Sequence, residues 1–437
     1  MTTSPAVAMP AAAASSSSAD PIVAWVGLDW ADGRHAVSLQ VTGSERVESS
    51  VLEHRPEALH AWVGDLRRRF PAGTIALALE QSRGSLFYAL MNYDFLLLYP
   101  IAPNSLAAYR KAFYPSGSKD DPVDADLILD FLRKHRDRLR SWQPDDVSTR
   151  QIRLLVEQRR QLVDDRTRLT NRLTDALKIY FPQALEYLGD LSVPWTGSFL
   201  ARWSTLSALR QATRLQLRTF FGKHTRRSPQ QVEALWEQVR TAQPLTSDPA
   251  VIASYQLLVQ ALVAQLQALA PALQRFEKAI AQLFAAHPDR PIFESLPGAG
   301  ATLAPRLLAA WGSDRERYSG AGQMQSFSGI APVLERSGKK QWVHWRWGCP
   351  QFVRQTFHEF AAQSRLQSPW AKAYYQQMRG RGLQHHAAIR ALAFKWIRIL
   401  YRCWKDRLPY DEQRYVLSLQ RRGSPLAATL TTREALP

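Results

Sequence analysis

The chain has 437 residues, of which 46% are hydrophobic, and its 56 Lys and Arg against 38 Asp and Glu give a net charge of +18. This length and apolar content allow two or three globular domains, and the charge predicts a polyanionic partner, either nucleic acid or an anionic membrane surface. No apolar run approaches the roughly 18 residues of a membrane span, so nucleic acid is favoured and no membrane is expected. The two cysteines, Cys349 and Cys403, are too few and too scattered for a disulfide framework or a zinc site, which suits a reducing cytoplasm.

The first half of the chain predicts a mixed α/β sheet. Residues 1–20 are rich in Ala and Ser without any Lys or Arg, so we expect a disordered leader rather than a secretory signal. An apolar strand then ends at Asp29, and strands follow at 35–41 and 47–52. A helix at 56–70 precedes a continuous apolar strand that also ends at a carboxylate, Glu80. A helix, another buried strand at 95–101 and two more helices complete the pattern.

The last of these helices begins in residues 116–130, SGSKDDPVDADLILD, which hold five aspartates in fifteen residues. Asp121 before Pro122 is typical of a helix N-cap, so part of this acid can simply complement the helix dipole. The spacing places Asp121 and Asp124 on the apolar side of the helix and Asp126 and Asp130 on the opposite, solvated side. Two carboxylates therefore point inward, where each needs a cation.

This order of elements is typical of a ribonuclease H-like sheet, in which acids at neighbouring strand ends and on a later helix converge. Asp29, Glu80, Asp121 and Asp124 match that arrangement. Four such carboxylates could hold two divalent ions, with Mg²⁺ expected, roughly 3.5–4 Å apart for phosphoryl transfer. A single acid at a strand end is more often a solvated turn residue, so the prediction depends on the combination.

The middle of the chain, 143–286, predicts long helices. Residues 150–180 have a heptad-like apolar stripe formed by Ile152, Leu155, Leu162, Leu169, Leu173 and Leu177. The stripe can pair with another helix or another subunit, and the many arginines beside it either line nucleic acid or form a solvated face. A second helix at about 249–286 could return antiparallel, whereas 185–250 allows no specific prediction.

The C-terminal part, 287–410, predicts a mainly helical nucleic-acid-binding domain. Pro297-Gly-Ala-Gly300 before a helix has the form of a helix-hairpin-helix, in which Gly298 and Gly300 would let backbone amides approach a phosphate. From Arg336 to Arg407 the chain holds fifteen Lys and Arg against two acids, interleaved with tryptophans, of which several must belong to the core. The candidate contacts are Arg336, Lys339, Lys340, Arg346, Arg379 and Arg381. We expect a flexible tail at 411–437.

Together these motifs resemble one family, the bridge-RNA-guided DEDD transposases of bacterial insertion sequences. The resemblance covers about residues 22–180 and 285–400 and is carried by GLDWA at 27–31, the acid of ALEQSRG, KDDPVDA at 119–125, LPGAG, and SGIAP followed by RSGKK. It implies a RuvC-like domain at 21–142, a coiled-coil linker with an insertion at 143–286 and a Tnp domain at 287–410. It also implies donor and target DNA, a noncoding bridge RNA, a homo-oligomer between dimer and tetramer, and a bacterial cytoplasmic location at the nucleoid.

The resemblance also implies residue roles. Asp29, Glu80, Asp121 and Asp124 would bind Mg²⁺, and the family's nucleophilic serine falls best on Ser337, with Ser328 and Ser326 as close competitors. The serine would become joined to DNA as a phosphoester, so that strand exchange needs no ATP. The chain departs from the family where a glycine-rich basic run is replaced by QWVHWRWGCP at 341–350.

Two other functions remain open at this point. The first is a metal-dependent junction nuclease, in which water attacks the phosphate and the serine is incidental. The second is a non-catalytic nucleic-acid-binding protein, whose binding would depend on salt but not on Mg²⁺ or on Asp29.

Overall fold

The computed structural model describes residues 21–80, 84–113, 121–338 and 340–427, with the side chains of Asp121 and Pro122 left out. The chain divides into two compact units, of which the first ends at Pro144 and the second begins at Asp145. The predicted leader at 1–20 lies outside the described residues.

The first unit is built on the mixed sheet that the sequence predicts. Its elements are β1 (Ile22–Asp29), β2 (Arg34–Val41), β3 (Val47–Glu53), α1 (Pro56–Arg69), β4 (Thr74–Leu79), α2 (Ser85–Leu90), β5 (Leu96–Pro100), α3 (Pro103–Phe113) and α4 (Asp121–His135). The strand order is β3-β2-β1-β4-β5, in which β1 to β3 are antiparallel and β4 and β5 run parallel to β1. Helices cover both faces, which is why the central strands are almost continuously apolar.

Alternation along the strands separates two cores. Val26 and Leu28 of β1 pack with α1 and α2 on one face, whereas Ala76 and Ala78 of β4 pack with Leu127 and other apolar residues of α4 on the other. The small residues on the second face let α4 come very close to the sheet. A Cβ atom on Gly27 would lie only 2.3 Å from the carbonyl oxygen of Ala125, so the helix crosses β1 at this glycine.

The second unit is mainly helical. Its elements are α5 (Val147–Tyr180), α6 (Gln183–Leu188), α7 (Pro194–Arg202), α8 (Leu206–Arg210), α9 (Arg214–His224), α10 (Pro229–Thr241), α11 (Pro249–Ala286), α12 (Arg290–Glu294), α13 (Gly300–Trp311), α14 (Ala321–Phe327), β6 (Val333–Ser337), β7 (Lys340–His344), α15 (Gln351–Gln367), α16 (Pro369–Gly380), α17 (His385–Asp406) and α18 (Glu412–Arg421). Helices α6 to α10 fill the stretch for which the sequence allowed no prediction.

The two long helices pair antiparallel, as the apolar stripe predicts. Ile152 near the start of α5 shares a core with Phe284 near the end of α11, and Leu173 shares another with Leu262. By length and composition alone α11 could cross a membrane, but the same test is passed by core helices of soluble proteins, and one such helix is weak evidence. Its long contact with α5 gives it a structural reason for being apolar.

The C-terminal region differs from the prediction in two places. A hairpin, β6 and β7, follows α14 where no strands were predicted. The stretch expected to be a flexible tail contains α18, and Leu419 of this amphipathic helix and Leu426 beyond it join the large apolar core. The expectation that several tryptophans of 336–407 belong to the core is confirmed, since Trp370, Trp396 and Trp404 are fully buried.

Candidate active site

Two of the predicted acids lie side by side at one edge of the sheet. The parallel register pairs Leu28 of β1 with Leu79 of β4, and Asp29 and Glu80 are the next residue on each chain. Alternation from Gly27 and Ala78 places both acids on the face that α4 covers. Both are only half-buried, so they border solvent at the carboxyl ends of the parallel strands.

Helix α4 begins at this same edge. Ser38, which is paired with Gly27, donates its hydroxyl to Asp126 near the start of α4, and Arg133 near the end of α4 donates to Gln40 farther along β2. The first turn of α4, which carries Asp121 and Asp124, therefore lies toward the carboxyl end of β1. Asp126 is exposed, as predicted, but it is also tied to the sheet.

Asp124 is buried and its charge is met by an arginine. Only 2% of Asp124 is exposed, and its Oδ1 lies 2.6 Å from Nη2 of Arg110 on α3. The two groups are close enough for an ion pair but not aligned as a hydrogen bond, and both Asp124 Oδ1 and Arg110 Nε are buried without a hydrogen-bond partner among the described residues. The negative charge of this buried carboxylate is therefore incompletely compensated, and a further cation would stabilise it.

The side-chain types of these residues suit a divalent cation. Within the described side chains, no three His, Cys, Asp or Glu lie close enough together to hold a metal ion, and the side chain of Asp121 lies outside that set. The fold therefore brings the backbones of Asp29, Glu80 and Asp124 to one edge of the sheet, but their described side chains do not form a complete metal site. Their carboxylate oxygens are the ligands that Mg²⁺ prefers, and Asp124 Oδ1 is short of a partner.

A chain of hydrogen bonds next to this edge was missed by sequence reasoning. The Ala31 amide donates to Nδ1 of buried His35 at 3.2 Å, so Nε2 of His35 carries the proton and donates to Nδ1 of His54 at 2.9 Å. Nε2 of His54 in turn contacts Ser85 Oγ at 3.3 Å. We call His35, His54 and Ser85 the histidine relay.

The histidine relay ties together the segments that follow two of the acids. Ala31 lies in the turn after Asp29, and Ser85 opens α2 after Glu80. Burial, helped by the neighbouring His54, lowers the pKa of His35 and so favours its neutral form. No pattern in the sequence could have revealed this relay because its members come from three separate segments, β2, the loop after β3 and the start of α2.

Ser337 lies at the end of β6 in the exposed hairpin of the second unit. It pairs with Lys340, and Gly338 in the turn has a φ of +57°, a conformation that suits glycine. Across the hairpin Glu335 accepts a hydrogen bond from Trp342 and lies 2.9 Å from Nε2 of His344. These cross-strand contacts hold the serine at the surface.

The competing serines are less accessible. Ser328 is fully buried and donates to the carbonyl oxygen of Gln325, and Ser326 is half-buried in the last turn of α14. Attack on a DNA phosphate needs an exposed hydroxyl, so accessibility favours Ser337 among the three. Its role as nucleophile stays a prediction.

The predicted nucleic-acid contacts have mixed surroundings. A Cβ atom on Gly298 would lie 2.8 Å from the backbone of Gln363, so this glycine is required by packing against α15, whereas Gly300 has open space around it. Arg336, Lys340, Arg379 and Arg381 are exposed, Arg346 is half-buried with an unpartnered Nε, and Lys339 lies outside the described residues. The six basic residues and the two glycines all remain predicted contacts.

Comparison with known proteins gives two family matches in chain order. The model DEDD_Tnp_IS110, described as transposase, matches residues 26–182, and the model described as transposase IS116/IS110/IS902 family matches residues 290–376. The first match spans Asp29, Glu80 and the start of α4, and the second spans Ser337. Together they cover more than half of the chain.

Several relatives match along nearly their whole length. The chain is 29% identical to the mini-circle putative transposase for IS117 of Streptomyces coelicolor, over 90% of this chain and 97% of the relative. It is 29% identical to the insertion element IS116 uncharacterized 44.8 kDa protein of Streptomyces clavuligerus, over 88% and 95% respectively. It is 26% identical to the insertion element IS900 uncharacterized 42 kDa protein of Mycobacterium paratuberculosis, over 88% and 96%.

Proposed function

The chain belongs to the IS110/IS116 family of insertion-sequence transposases, and from this premise we propose that it cuts and rejoins DNA through a transient phosphoester between Ser337 and the DNA. The first unit would be a RuvC-like domain in which Asp29, Glu80, Asp121 and Asp124 form the acidic site. The observation that best supports the proposal is the register of β1 and β4, which sets Asp29 and Glu80 at adjacent strand ends, with the start of α4 toward the same edge of the sheet.

The chemistry balances without an external energy source. Oγ of Ser337 bonds to the phosphorus of a phosphodiester, the bond from phosphorus to one sugar oxygen breaks, and the serine proton is lost while the leaving oxygen gains one. The reverse reaction with a hydroxyl of another strand releases the serine. Because each broken phosphoester is replaced by another, no ATP is required.

A bound divalent ion, with Mg²⁺ in one or two copies expected, would supply Lewis-acid stabilisation of charge on the phosphate. The chain's own residues bind and orient it: Asp29 and Glu80 from the strand ends and Asp121 and Asp124 from α4. In this structure Arg110 compensates the negative charge of buried Asp124 through an ion pair. The histidine relay fixes the two segments that follow the strand-end acids.

The remaining parts of the proposal concern partners. We propose that donor and target DNA are selected by a noncoding bridge RNA and that the active form is a homo-oligomer between dimer and tetramer, in which one copy's serine acts with another copy's acids. The net charge of +18 supports a polyanionic partner, and the exposed hairpin that carries Ser337 supports delivery of the serine to a second surface.

The proposal is tested by trapping. Purified protein is incubated with end-labelled element-end DNA, its RNA and Mg²⁺, quenched in detergent and separated on a denaturing gel. We expect a DNA-bound protein band that is absent with Ser337→Ala or Asp29→Asn and retained with Ser326→Ala.

Other outcomes would favour the other functions. Cleavage without any covalent band, and unchanged by Ser337→Ala, would indicate a metal-dependent nuclease in which water attacks. Salt-sensitive DNA binding without cleavage, indifferent to Mg²⁺ and to Asp29→Asn, would indicate a non-catalytic binding protein.

A further inference from the structure

Four basic side chains face one another between two helices of the second unit. Arg354 and His358 lie one turn apart on α15, and His386 and Arg390 lie one turn apart on α17. The rings of His358 and His386 are 5.5 Å apart, while both arginines contact the ring of Trp345, with Cζ of Arg390 at 3.5 Å and Cζ of Arg354 at 5.0 Å from its centroid. We call these four residues the Arg-His ladder.

The positive charge of the Arg-His ladder is not neutralised by any carboxylate that the structure describes. Among the residues that the structure describes, none of its four members forms an ion pair with a carboxylate. Glu359, the one acid of α15, instead pairs with Arg306 and Arg160. Protonation of the histidines would place like charges one helical turn apart, which disfavours the charged forms unless an anion is bound.

The two arginines differ in how their donors are used. Arg354 donates to the carbonyl oxygens of Arg346 and Trp347 and to the Cys349 thiol, so it fastens the loop that carries Trp345. Arg390 makes no hydrogen bond to any described residue, and its Nε is buried without a partner. Stacking on Trp345 nevertheless fixes its guanidinium plane. Arg390 is thus a positioned cation with free donors.

We propose that the Arg-His ladder and Trp345 form a binding site for a backbone phosphate of DNA. Planar guanidinium donors suit phosphate oxygens, and four cationic or protonatable groups without an acid provide the positive potential. The first turn of α17 carries no acid either, so its helix dipole adds to that potential. The choice of DNA as the ligand rests on the proposed function.

Proton uptake should accompany binding. Burial is the largest cause that lowers the pKa of His358, and the positive charges of His386, Arg390 and His385 on α17 add to it. Arg354 lies one turn away on α15, and the pKa of neighbouring His385 is lowered by desolvation first and then by His386, Arg365 and Arg379. A bound phosphate would favour the charged form of His358 and raise its pKa, so affinity should rise as pH falls from about 7.5 to 6.

The charge contribution is tested with the full-length protein. Binding to a fluorescent DNA duplex in EDTA is followed by anisotropy between 50 and 200 mM salt. Arg390→Gln should reduce the slope of log Kd against log salt by about 0.9, the value for one phosphate contact. Arg390→Lys keeps the charge and should keep the slope.

The matched control is Arg402→Gln on the same helix, because Arg402 is exposed and pairs with Asp406. It should leave the slope unchanged. An equal slope for Arg390→Gln and Arg402→Gln would overturn the proposal. A slope lost for an RNA duplex but kept for DNA would overturn the choice of DNA. If Arg390→Gln melts below the wild type, Trp345→Phe serves as a variant that perturbs the same packing but keeps the charge. Only Arg390→Gln should lose slope, and an equal loss in Trp345→Phe would overturn the proposal.

The protonation step has its own readout. The double variant His358→Gln/His386→Gln should bind DNA with an affinity that no longer rises between pH 7.5 and 6, while its salt slope at pH 8 matches the wild type. Wild-type pH dependence in this variant would contradict the linkage. These assays contain no Mg²⁺ and measure no cleavage, so a failed phosphate site and a failed serine mechanism give different results.

Discussion

Asp124 has a structural ion pair in the first unit besides the metal-binding role that we propose for it. It is 2% exposed, and its charge is met in the first unit by Arg110, which is 24% exposed. Burial of a carboxylate is costly, and the imperfect geometry of this pair leaves Oδ1 without a hydrogen bond. The residue is therefore poised to accept a further cation beside Arg110.

Removal of Arg110 should show how far buried Asp124 depends on the positive charge of Arg110. Arg110→Gln leaves a buried carboxylate without its cation, which costs about 3–5 kcal/mol of unfolding free energy for a buried pair. Mg²⁺ should then raise the melting temperature of the variant more than that of the wild type, as measured by scanning calorimetry.

The control is Arg69→Gln, which breaks the exposed pair with Glu48. Exposed pairs contribute about 0–1 kcal/mol, so this variant should melt close to the wild type with or without Mg²⁺. Equal melting of the two variants would mean that Arg110 does not compensate the charge of Asp124.

At the scale of elements, the position of α4 decides whether the acids can meet. The helix crosses β1 where Gly27 has no side chain, and its backbone fills the space where a Cβ would be. The hydrogen bonds from Ser38 and Arg133 fix its direction along β2. A change that lifts α4 would therefore move Asp124 away from Asp29 and Glu80.

Gly27→Ala tests this packing. Its Cβ would overlap backbone atoms of Ala125 and Leu129, which cannot rotate away, so we expect a loss of about 1–3 kcal/mol or more and a strong loss of DNA cleavage. Gly33→Ala, which has open space around it, should leave both stability and cleavage near wild type. Normal cleavage by Gly27→Ala would show that the site does not depend on the close approach of α4.

The histidine relay predicts acid sensitivity. The pKa of His35 is lowered below its usual 6.5 by burial and by His54, so the unfolded chain takes up a proton that the folded chain resists. Stability contributed by neutral His35 is complete above about pH 6.5 and is lost as pH falls below it, by about 1.4 kcal/mol for each unit of pKa lowering.

His35→Asn removes this titrating group. In calorimetric melts at pH 8, 6.5 and 5.5 we expect it to lose less stability on acidification than the wild type, although it is less stable at pH 8. His60→Asn, at an exposed position of α1, should keep the wild-type pH dependence. The same acid sensitivity in both variants would show that His35 is not the responsible group.

Sequence reasoning succeeded where a pattern is local. Strand alternation and apolar runs predicted the sheet and the position of Asp29 and Glu80 at adjacent strand ends. Heptad-like spacing predicted α5, whose partner α11 was expected to run antiparallel. It could not predict contacts between distant elements, such as Arg110 with Asp124 or His358 with His386. It also missed the hairpin at Ser337, because almost all of its side chains are exposed and the strands lack a buried alternating face.

At the scale of the whole molecule, the charge and the division into units fit the family's function. The acids lie in the first unit, whereas Ser337 and the Arg-His ladder lie in the second. The net charge of +18 attracts nucleic acid, whereas the acidic sheet edge is a local region of negative charge. Cleavage would thus require the two units, from one copy or from two, to meet on the same DNA.

The account depends most on the acidic sheet edge, and direct titration of Mn²⁺ followed by electron paramagnetic resonance tests that edge without any need for DNA or RNA. The wild type should bind one or two Mn²⁺ ions that Mg²⁺ displaces, and Asp29→Asn/Glu80→Gln should abolish this binding, whereas Glu57→Gln in the first turn of α1 should not. Mn²⁺ binding that is absent from the wild type, or equal in all three proteins, would contradict the account.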